Sequence, residues 1–184
     1  MASWSEFEAA DPELAAFGRS LLYRTGDPIG YLATVRAADG GPRVHPVCPI
    51  PADGRLYVTI PRISPKVADL QTDPRYMFHT YPDDHDPEFS FRGRARHVTS
   101  AEERKLVNEA CTFATGVRDE DDVFELDIER VDSTTWANWA QADTYPVRRT
   151  WVAARATDAS GASPLHSGKR HRWSTVASRP TDGR

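Results

Sequence analysis

Apolar and polar residues alternate with a period of two along several short segments of the chain, which is the pattern of half-buried β-strands. Residues 53 and 54 form an Asp-Gly pair, typical of a tight turn, so the second and third predicted strands should form a hairpin. Gly93, inside a predicted strand, indicates a bulge or a close approach of another backbone segment. The predicted strands are residues 29–36, 43–50, 55–60, 75–81, 88–98, 123–131 and 134–139.

Apolar residues at helical spacing predict three helices. Residues 11–24 form the first of these helices, and Asp11 can cap its N-terminus. Ser64, a preferred N-cap, precedes Pro65, which suits the first helical position, so a second helix begins there. A capping box at residues 99–103 opens a third helix. Because strands mostly follow strands by short turns, we predict a mostly antiparallel barrel with helices packed around it.

The length of 184 residues fits one domain with terminal appendages. We divide the chain into an N-terminal helical segment (residues 1–28), a barrel domain (29–151) and a tail (152–184). The tail is rich in Ser, Gly, Thr, Arg and Pro and has few apolar residues, a composition typical of disordered segments.

The formal net charge of −4 is unevenly spread. Residues 152–184 contain six Lys/Arg and two Asp/Glu, a net charge of +4, which leaves −8 on residues 1–151. An acidic body argues against a nucleic-acid surface. The chain has no apolar run of transmembrane length, and its N-terminus has no signal-peptide core, so we expect a cytoplasmic protein with no membrane partner. The 20 arginines against 3 lysines suggest a GC-rich bacterial genome.

The start of the second predicted helix is the candidate binding site. A helix N-terminus carries free N–H groups and partial positive charge, so it can hold an anion. Lys66 adds a full charge and Thr59 a hydroxyl, at the two ends of the short connection between strand and helix. The local pattern fits a phosphate site, and it also fits an ordinary helix start with a solvated lysine.

Other chemistries find little support in the sequence. The two cysteines and the four histidines of residues 45–97 do not show metal-ligand spacing, so we expect no metal site. Neither a Ser-His-Asp order nor a carboxylate pair is evident, and the catalytic residues stay unassigned.

The ordered set of segments resembles the FMN-binding split-barrel superfamily, the pyridoxamine 5'-phosphate oxidase-like proteins. The motifs that carry the resemblance, between residues 29 and 139, are GYLATV, RVHPV, DGRLYVTI, SPKVADLQTDPR, FRGRARHV and FELDIERV. The resemblance implies a mainly β fold, a split barrel of six to seven antiparallel strands with peripheral helices. It also implies a homodimer with FMN bound at the dimer interface.

The same resemblance implies which residues contact the phosphate end of the cofactor. Ser64 and Lys66 fall at the helix start that grips the phosphate, and Thr59 falls at a phosphate-binding hydroxyl position. His45 falls where family members contact the phosphate or the ribityl chain.

Further positions are implied beside the flavin ring. Pro46, Val47 and Cys48 continue the strand that runs along the ring edge. Glu88 falls where the oxidases have a glutamine that reaches the flavin of the partner subunit.

The implied function is a flavin-dependent oxidoreductase that transfers hydride to or from an unidentified small molecule. Pro65 stands where the vitamin B6 oxidases carry an arginine, and the C-terminal region does not match their arginine-rich substrate-binding segment. Two alternatives stay open. One is a reductase that uses a deazaflavin coenzyme, whose acidic tail could meet Arg62, Arg92 and Arg94. The other is a non-catalytic flavin- or haem-binding protein on the same scaffold.

Overall fold

The computed structural model describes residues 1–154, so most of the predicted tail lies outside the described residues. The helices are α1 (Trp4–Ala10), α2 (Pro12–Leu22), α3 (Pro65–Thr72) and α4 (Ala101–Ala110). The strands are β1 (Gly30–Val35), β2 (Pro42–Val47), β3 (Ile50–Ala52), β4 (Arg55–Pro61), β5 (Arg75–Thr80), β6 (Glu88–His97), β7 (Asp121–Ala137) and β8 (Tyr145–Val152). No helix among them is long and apolar enough to cross a membrane.

The eight strands form one antiparallel sheet in the order β2-β1-β5-β6-β7-β4-β3, and β8 pairs with β7 outside this path. β2 and β3 stand at opposite ends of the order, yet only Cys48 and Pro49 separate them in the chain. A link this short spans at most about 11 Å, so the two ends of the sheet meet there and the sheet curls into a barrel. The predicted mainly β, antiparallel fold class is confirmed, with eight strands in place of six or seven.

The predicted hairpin around the Asp-Gly turn is partly wrong. Residues 43–50 do not form one strand, because the chain breaks at Cys48 and Pro49; β2 pairs with β1, and only the three residues of β3 pair with β4. The turn itself is right, since Asp53 and Gly54 have φ of 47° and 70°, the left-handed pair of a tight hairpin. Pro49 has no N–H to donate to a ladder, which favours a break at this point.

β7 is longer than predicted, because residues 134–137 continue it instead of starting a separate strand. β8 and α1 are absent from the prediction. The β8 sequence YPVRRTWV interrupts its alternation with two arginines, and most of its residues are exposed, so its pattern is weak. Pairing with β7 along its whole length, not burial, makes it a strand.

The barrel interior is aromatic and aliphatic, and α1 and α2 pack against it. Phe7 of α1 is fully buried, with its ring 5.4 Å from that of Trp4 and 5.0 Å from that of Trp151. A smaller core under α4 surrounds Val107 and Val123.

A buried carboxylate joins four elements near this smaller core. Glu125 of β7, 1% exposed, accepts hydrogen bonds from Arg55 of β4 and Arg96 of β6. Arg96 also pairs with Glu103 of α4, which accepts a 3.0 Å hydrogen bond from the Tyr57 hydroxyl. The network fixes β4, and with it the connection that leads into α3.

The register of β6 shifts between Arg92 and Gly93, which confirms the predicted bulge. A Cβ at Gly93 would overlap the Asp127 backbone carbonyl of β7, so we expect Gly93→Ala to lower the free energy of unfolding by about 3 kcal/mol. Gly40→Ala is the control: its φ of 72° strains an alanine by about 1 kcal/mol, but its surroundings are open. Urea unfolding measures both, and equal losses would contradict the expectation.

Candidate functional site

Helix α3 is held in place by the carboxylate of Asp69, which is 2% exposed. It accepts hydrogen bonds from the Thr34 hydroxyl (3.1 Å), the Ala37 N–H (2.9 Å) and the Arg43 Nε (2.6 Å). Burial raises the pKa of Asp69, but these hydrogen bonds and the charge of Arg43 outweigh burial and lower it overall. The ionised carboxylate therefore ties α3 to β1, to the turn after β1 and to β2.

Three basic side chains gather beside the first turn of α3. Burial lowers the pKa of His45, the nearby charges of Lys66 and Arg43 lower it further, and Asp69 acts in the opposite direction. Burial and Arg43 likewise lower the pKa of Lys66. We call Arg43, His45 and Lys66 the cationic cluster. The positive charges of this cluster repel one another, and a bound anion would offset that repulsion.

Several polar groups at this place have no partner among residues 1–154. The Nε2 atom of His45 is buried and makes no hydrogen bond. Ser64 is the N-cap of α3, but its side chain makes no capping hydrogen bond. The ammonium of Lys66 forms no salt bridge within the described part of the chain. Because buried polar groups are normally paired, this arrangement fits a ligand that accepts hydrogen bonds.

Thr59 lies on β4, half-buried and opposite Val123 of β7. A short turn follows, in which the Ser64 N–H donates to the Pro61 carbonyl at 2.7 Å. The same stretch of chain thus carries Thr59, Ser64 and Lys66. No hydrogen bond joins Thr59 to the cationic cluster within residues 1–154, and its phosphate role stays a prediction.

The predicted ring-side residues continue along β2 from the cluster. Val47 is half-buried on the same face as His45, whereas Pro46 is exposed on the opposite face. Cys48 lies just beyond the strand, about 10 Å from His45 at 3.3 Å per residue. Burial and the charge of Asp27 raise the pKa of the Cys48 thiol, so it stays protonated at neutral pH.

Glu88 is exposed at the start of β6, in register with Thr134 of β7. Strands β1 and β5 lie between β6 and β2, so one chain does not bring Glu88 to its own cationic cluster. Its predicted contact with a flavin requires a second subunit.

The sequence prediction missed Arg43 and Asp69. Arg43 stands two residues before His45, on the same face of β2, so strand alternation alone could have placed it beside the site. Asp69 lies between the buried Val67 and Leu70 of α3, an acidic residue on an apolar helix face. A buried carboxylate needs a hydrogen-bond or charge partner, so the position of Asp69 on the apolar face was a signal that it contacts another part of the chain.

A groove of about 570 Å³ lies against the first two turns of α3. Arg62 and His97 line it, and both approach Asp122, at 3.4 and 3.5 Å. Arg62, suggested for an acidic coenzyme tail, is thus already paired. Arg92 and Arg94 lie on β6, which β1 and β5 separate from β2 in the sheet.

Comparisons with known proteins agree with this architecture. The profile of the family described as pyridoxamine 5'-phosphate oxidase matches residues 21–135. No curated protein sequence matches the chain.

Similar solved structures share 17% identity with the chain, which shows the fold alone. A haem-binding protein from Mycobacterium smegmatis has a TM-score of 0.51, over 72% of this chain and 57% of that one. A candidate pyridoxamine 5'-phosphate oxidase from Listeria innocua has a TM-score of 0.53, over 65% and 96%. A NimC/NimA family protein from Clostridium acetobutylicum has a TM-score of 0.50, over 73% and 94%.

Removing the Asp69 carboxylate should destabilise the protein strongly, because it leaves Arg43 partly buried and unpaired. We expect Asp69→Ala to lower the free energy of unfolding by about 3–5 kcal/mol. Asp39→Ala, which breaks the exposed pair with Arg36, is the control and should lose about 1 kcal/mol or less. Chemical denaturation measures both variants; a small loss in Asp69→Ala would show that α3 is held by other contacts.

Anion binding should depend on the protonation of His45. In the free protein the lowered pKa means that neutral His45 contributes stability above pH about 6.5, which is lost as the pH falls below that value. A bound anion favours the protonated ring, so sulfate should raise the melting temperature more at pH about 6 than at pH about 8.

His45→Gln should abolish this difference, and His85→Asn, a control at an exposed histidine, should keep it. The measurement is the melting temperature of each variant with and without sulfate at the two pH values. A difference that survives in His45→Gln would place the anion elsewhere.

Proposed function

Because the chain belongs to the pyridoxamine 5'-phosphate oxidase family, which its profile match over more than half of the chain shows, we propose that it binds FMN and acts as a flavin-dependent oxidoreductase on a small molecule. One observation carries the proposal: a cationic cluster with unpartnered polar groups at the N-terminus of α3. A phosphate monoester meets the requirements of such a site in charge and in hydrogen-bond acceptors.

In this proposal, Lys66 and Arg43 balance the charge of the FMN phosphate. The Ser64 hydroxyl and the α3 N-terminus donate hydrogen bonds to it, as does the Thr59 hydroxyl. His45 Nε2 gains the partner that it lacks in the free chain. Arg43 stays oriented because Asp69 holds its Nε. When bound, FMN supplies the hydride-transfer chemistry, and the protein supplies position and electrostatics.

The flavin ring would extend along β2 past Pro46, Val47 and Cys48. The Cys48 thiol is protonated at neutral pH and is not assigned as a nucleophile. No general acid or base is assigned on the described residues. The substrate would approach the ring face that the protein leaves open.

We further propose that the protein is a homodimer. The outer face of β2, β1 and β5 carries exposed apolar side chains, with Val44 57%, Tyr31 41% and Met77 43% exposed. Val44 and Met77 flank Ala33 in register, so these side chains form one continuous apolar face. Such a face fits a second copy of the chain, which could also bring Glu88 to the flavin.

The colour of the purified protein should separate FMN from the alternatives. Bound FMN gives a yellow protein with flavin absorbance, a diffusing deazaflavin cosubstrate leaves a colourless one, and haem gives a Soret band. Mass spectrometry of the released cofactor identifies it. A colourless or haem-bearing protein would contradict FMN.

Lys66→Ala should weaken FMN retention by about tenfold to a hundredfold, because it removes a charge-assisted contact of about 1.5–3 kcal/mol. Lys105→Ala, at an exposed lysine of α4 that pairs with Glu109, is the matched control and should retain FMN fully. Equilibrium dialysis of the bound flavin measures both. Unchanged retention in Lys66→Ala would remove the phosphate assignment.

A further inference from the structure

A cavity of about 210 Å³ lies between α1, α2 and the β3–β4 hairpin, and we call it the helix–hairpin cavity. Its floor is apolar and buried, and includes Trp4, Leu22 and Leu56, which are 7%, 1% and 2% exposed. Its mouth is charged and includes Glu8, Arg19 and Asp53. Arg55 also lines the mouth, but its guanidinium is already paired with Glu125. A small molecule with an apolar part and charged groups at one end matches this division.

The floor carries a hydrogen-bond donor without a partner. The Trp4 Nε1–H donates no hydrogen bond within residues 1–154, although Trp4 is more than nine-tenths buried. Its ring packs edge-on against those of Phe7 and Phe91, at 5.4 and 6.2 Å. The only enclosed side-chain polar atom without a partner in this part of the chain is His45 Nε2, so Trp4 Nε1 keeps accessible surface at the cavity wall. Because an indole can only donate and buried donors are normally paired, an acceptor in the cavity would complete this group.

The mouth offers charges of both signs. Glu8 of α1 and Arg19 of α2 form a salt bridge there, with side chains 45% and 49% exposed. Glu8 stands four residues after Trp4, on the same face of α1, so this salt bridge lies beside the indole. Asp53, in the hairpin turn, is exposed and forms no salt bridge within the described part of the chain. A ligand with one positive and one negative group can pair with both signs, whereas a simple anion or cation faces a like charge.

The size of the cavity limits the ligand. The Ser5 N–H donates to the Gly54 carbonyl at 2.8 Å, which fixes the hairpin turn against the start of α1. Glu8 follows Ser5 by three residues, about 4.5 Å farther along the helix axis, so the two ends of the mouth lie about one helical turn apart. At about 30 Å³ per water molecule, the cavity holds about seven waters, and a molecule of about seven to nine non-hydrogen atoms fills it.

We propose that the helix–hairpin cavity binds a free amino acid with an apolar side chain. The apolar side chain lies on the buried floor. The carboxylate accepts the Trp4 Nε1–H and pairs with Arg19, and the ammonium lies between Glu8 and Asp53. Arg19 has further N–H groups beyond the one that Glu8 accepts, so it can hold its own salt bridge and the carboxylate of the ligand together.

The test is isothermal titration calorimetry of the full chain with L-leucine and two analogues, isocaproate, which lacks the ammonium, and isoamylamine, which lacks the carboxylate. L-leucine should bind, and each analogue should bind about tenfold more weakly, because it loses a charge-assisted contact. Arg19→Gln should weaken L-leucine binding about tenfold and should not weaken isoamylamine binding, since that ligand has no carboxylate. The control, Arg36→Gln, breaks the similarly exposed pair with Asp39 and should bind L-leucine like the unchanged protein.

A second readout keeps the proposal falsifiable if Arg19→Gln is unstable. In the unchanged protein, L-leucine should move the indole N–H resonance of Trp4, and isoamylamine should not, because it brings no acceptor. No binding of L-leucine at millimolar concentrations, equal binding of the three ligands, or a Trp4 resonance that stays in place would overturn the proposal. So would equal L-leucine binding by Arg19→Gln and the unchanged protein. None of the residues of the cavity belongs to the proposed FMN site, so failure here leaves that proposal standing.

Discussion

The buried carboxylate of Asp69 joins three separate segments to helix α3: β1 through Thr34, the following turn through Ala37, and β2 through Arg43. A carboxylate in this position is stable only because all of these donors converge on it. In return it fixes the place where α3 begins relative to β2. The cationic cluster exists because these two elements are held together, so the candidate site depends on a residue that need not contact a ligand.

A second buried carboxylate, Glu125, connects the strands that lead to α3. Its hydrogen bonds with Arg55 and Arg96 hold β4 against β6, and α3 follows β4 after a three-residue turn. The helix is thus anchored from the strand before it and from the strands beside it. The helix N-terminus is placed by charged groups with little freedom to move, while the site beside it keeps unpartnered donors. Rigid support beneath unsatisfied polar groups is the arrangement that preorganised binding needs.

Much of the fold could be predicted because its signals are local. The Asp-Gly turn, the Ser64 cap and the Gly93 bulge each follow from the chemistry of one or two residues. The pairing of β2 was missed because the prediction joined residues 43–50 into one strand behind the Asp-Gly turn, although the turn at Gly40 (φ 72°) links β1 directly to β2. Strand β8 was missed because its stability comes from pairing with β7 and not from burial of its own side chains.

The residues of the candidate site likewise fall into those with a local sequence signal and those whose role depends on a long-range contact. Ser64 and Lys66 were accessible from the sequence because capping and charge act within one turn of helix. Arg43 and Asp69 each carry a local signal but were missed, because that signal does not identify the partner: the two residues that contact each other lie 26 apart in the chain. Glu88 shows the remaining limit: its position in the fold is clear, but its predicted contact with a flavin needs the second subunit that we propose.

The placement of β7 has a consequence for synthesis on the ribosome. β4 ends at Pro61, and its partner β7 begins only at Asp121, so one edge of β4 stays open while the intervening chain is made. At about 5–20 residues per second, this interval lasts about 3–12 seconds. Throughout that time an apolar strand with free N–H and carbonyl groups can pair with another nascent chain. The topology therefore creates a risk of aggregation during translation, before the partner strand of β4 has been made.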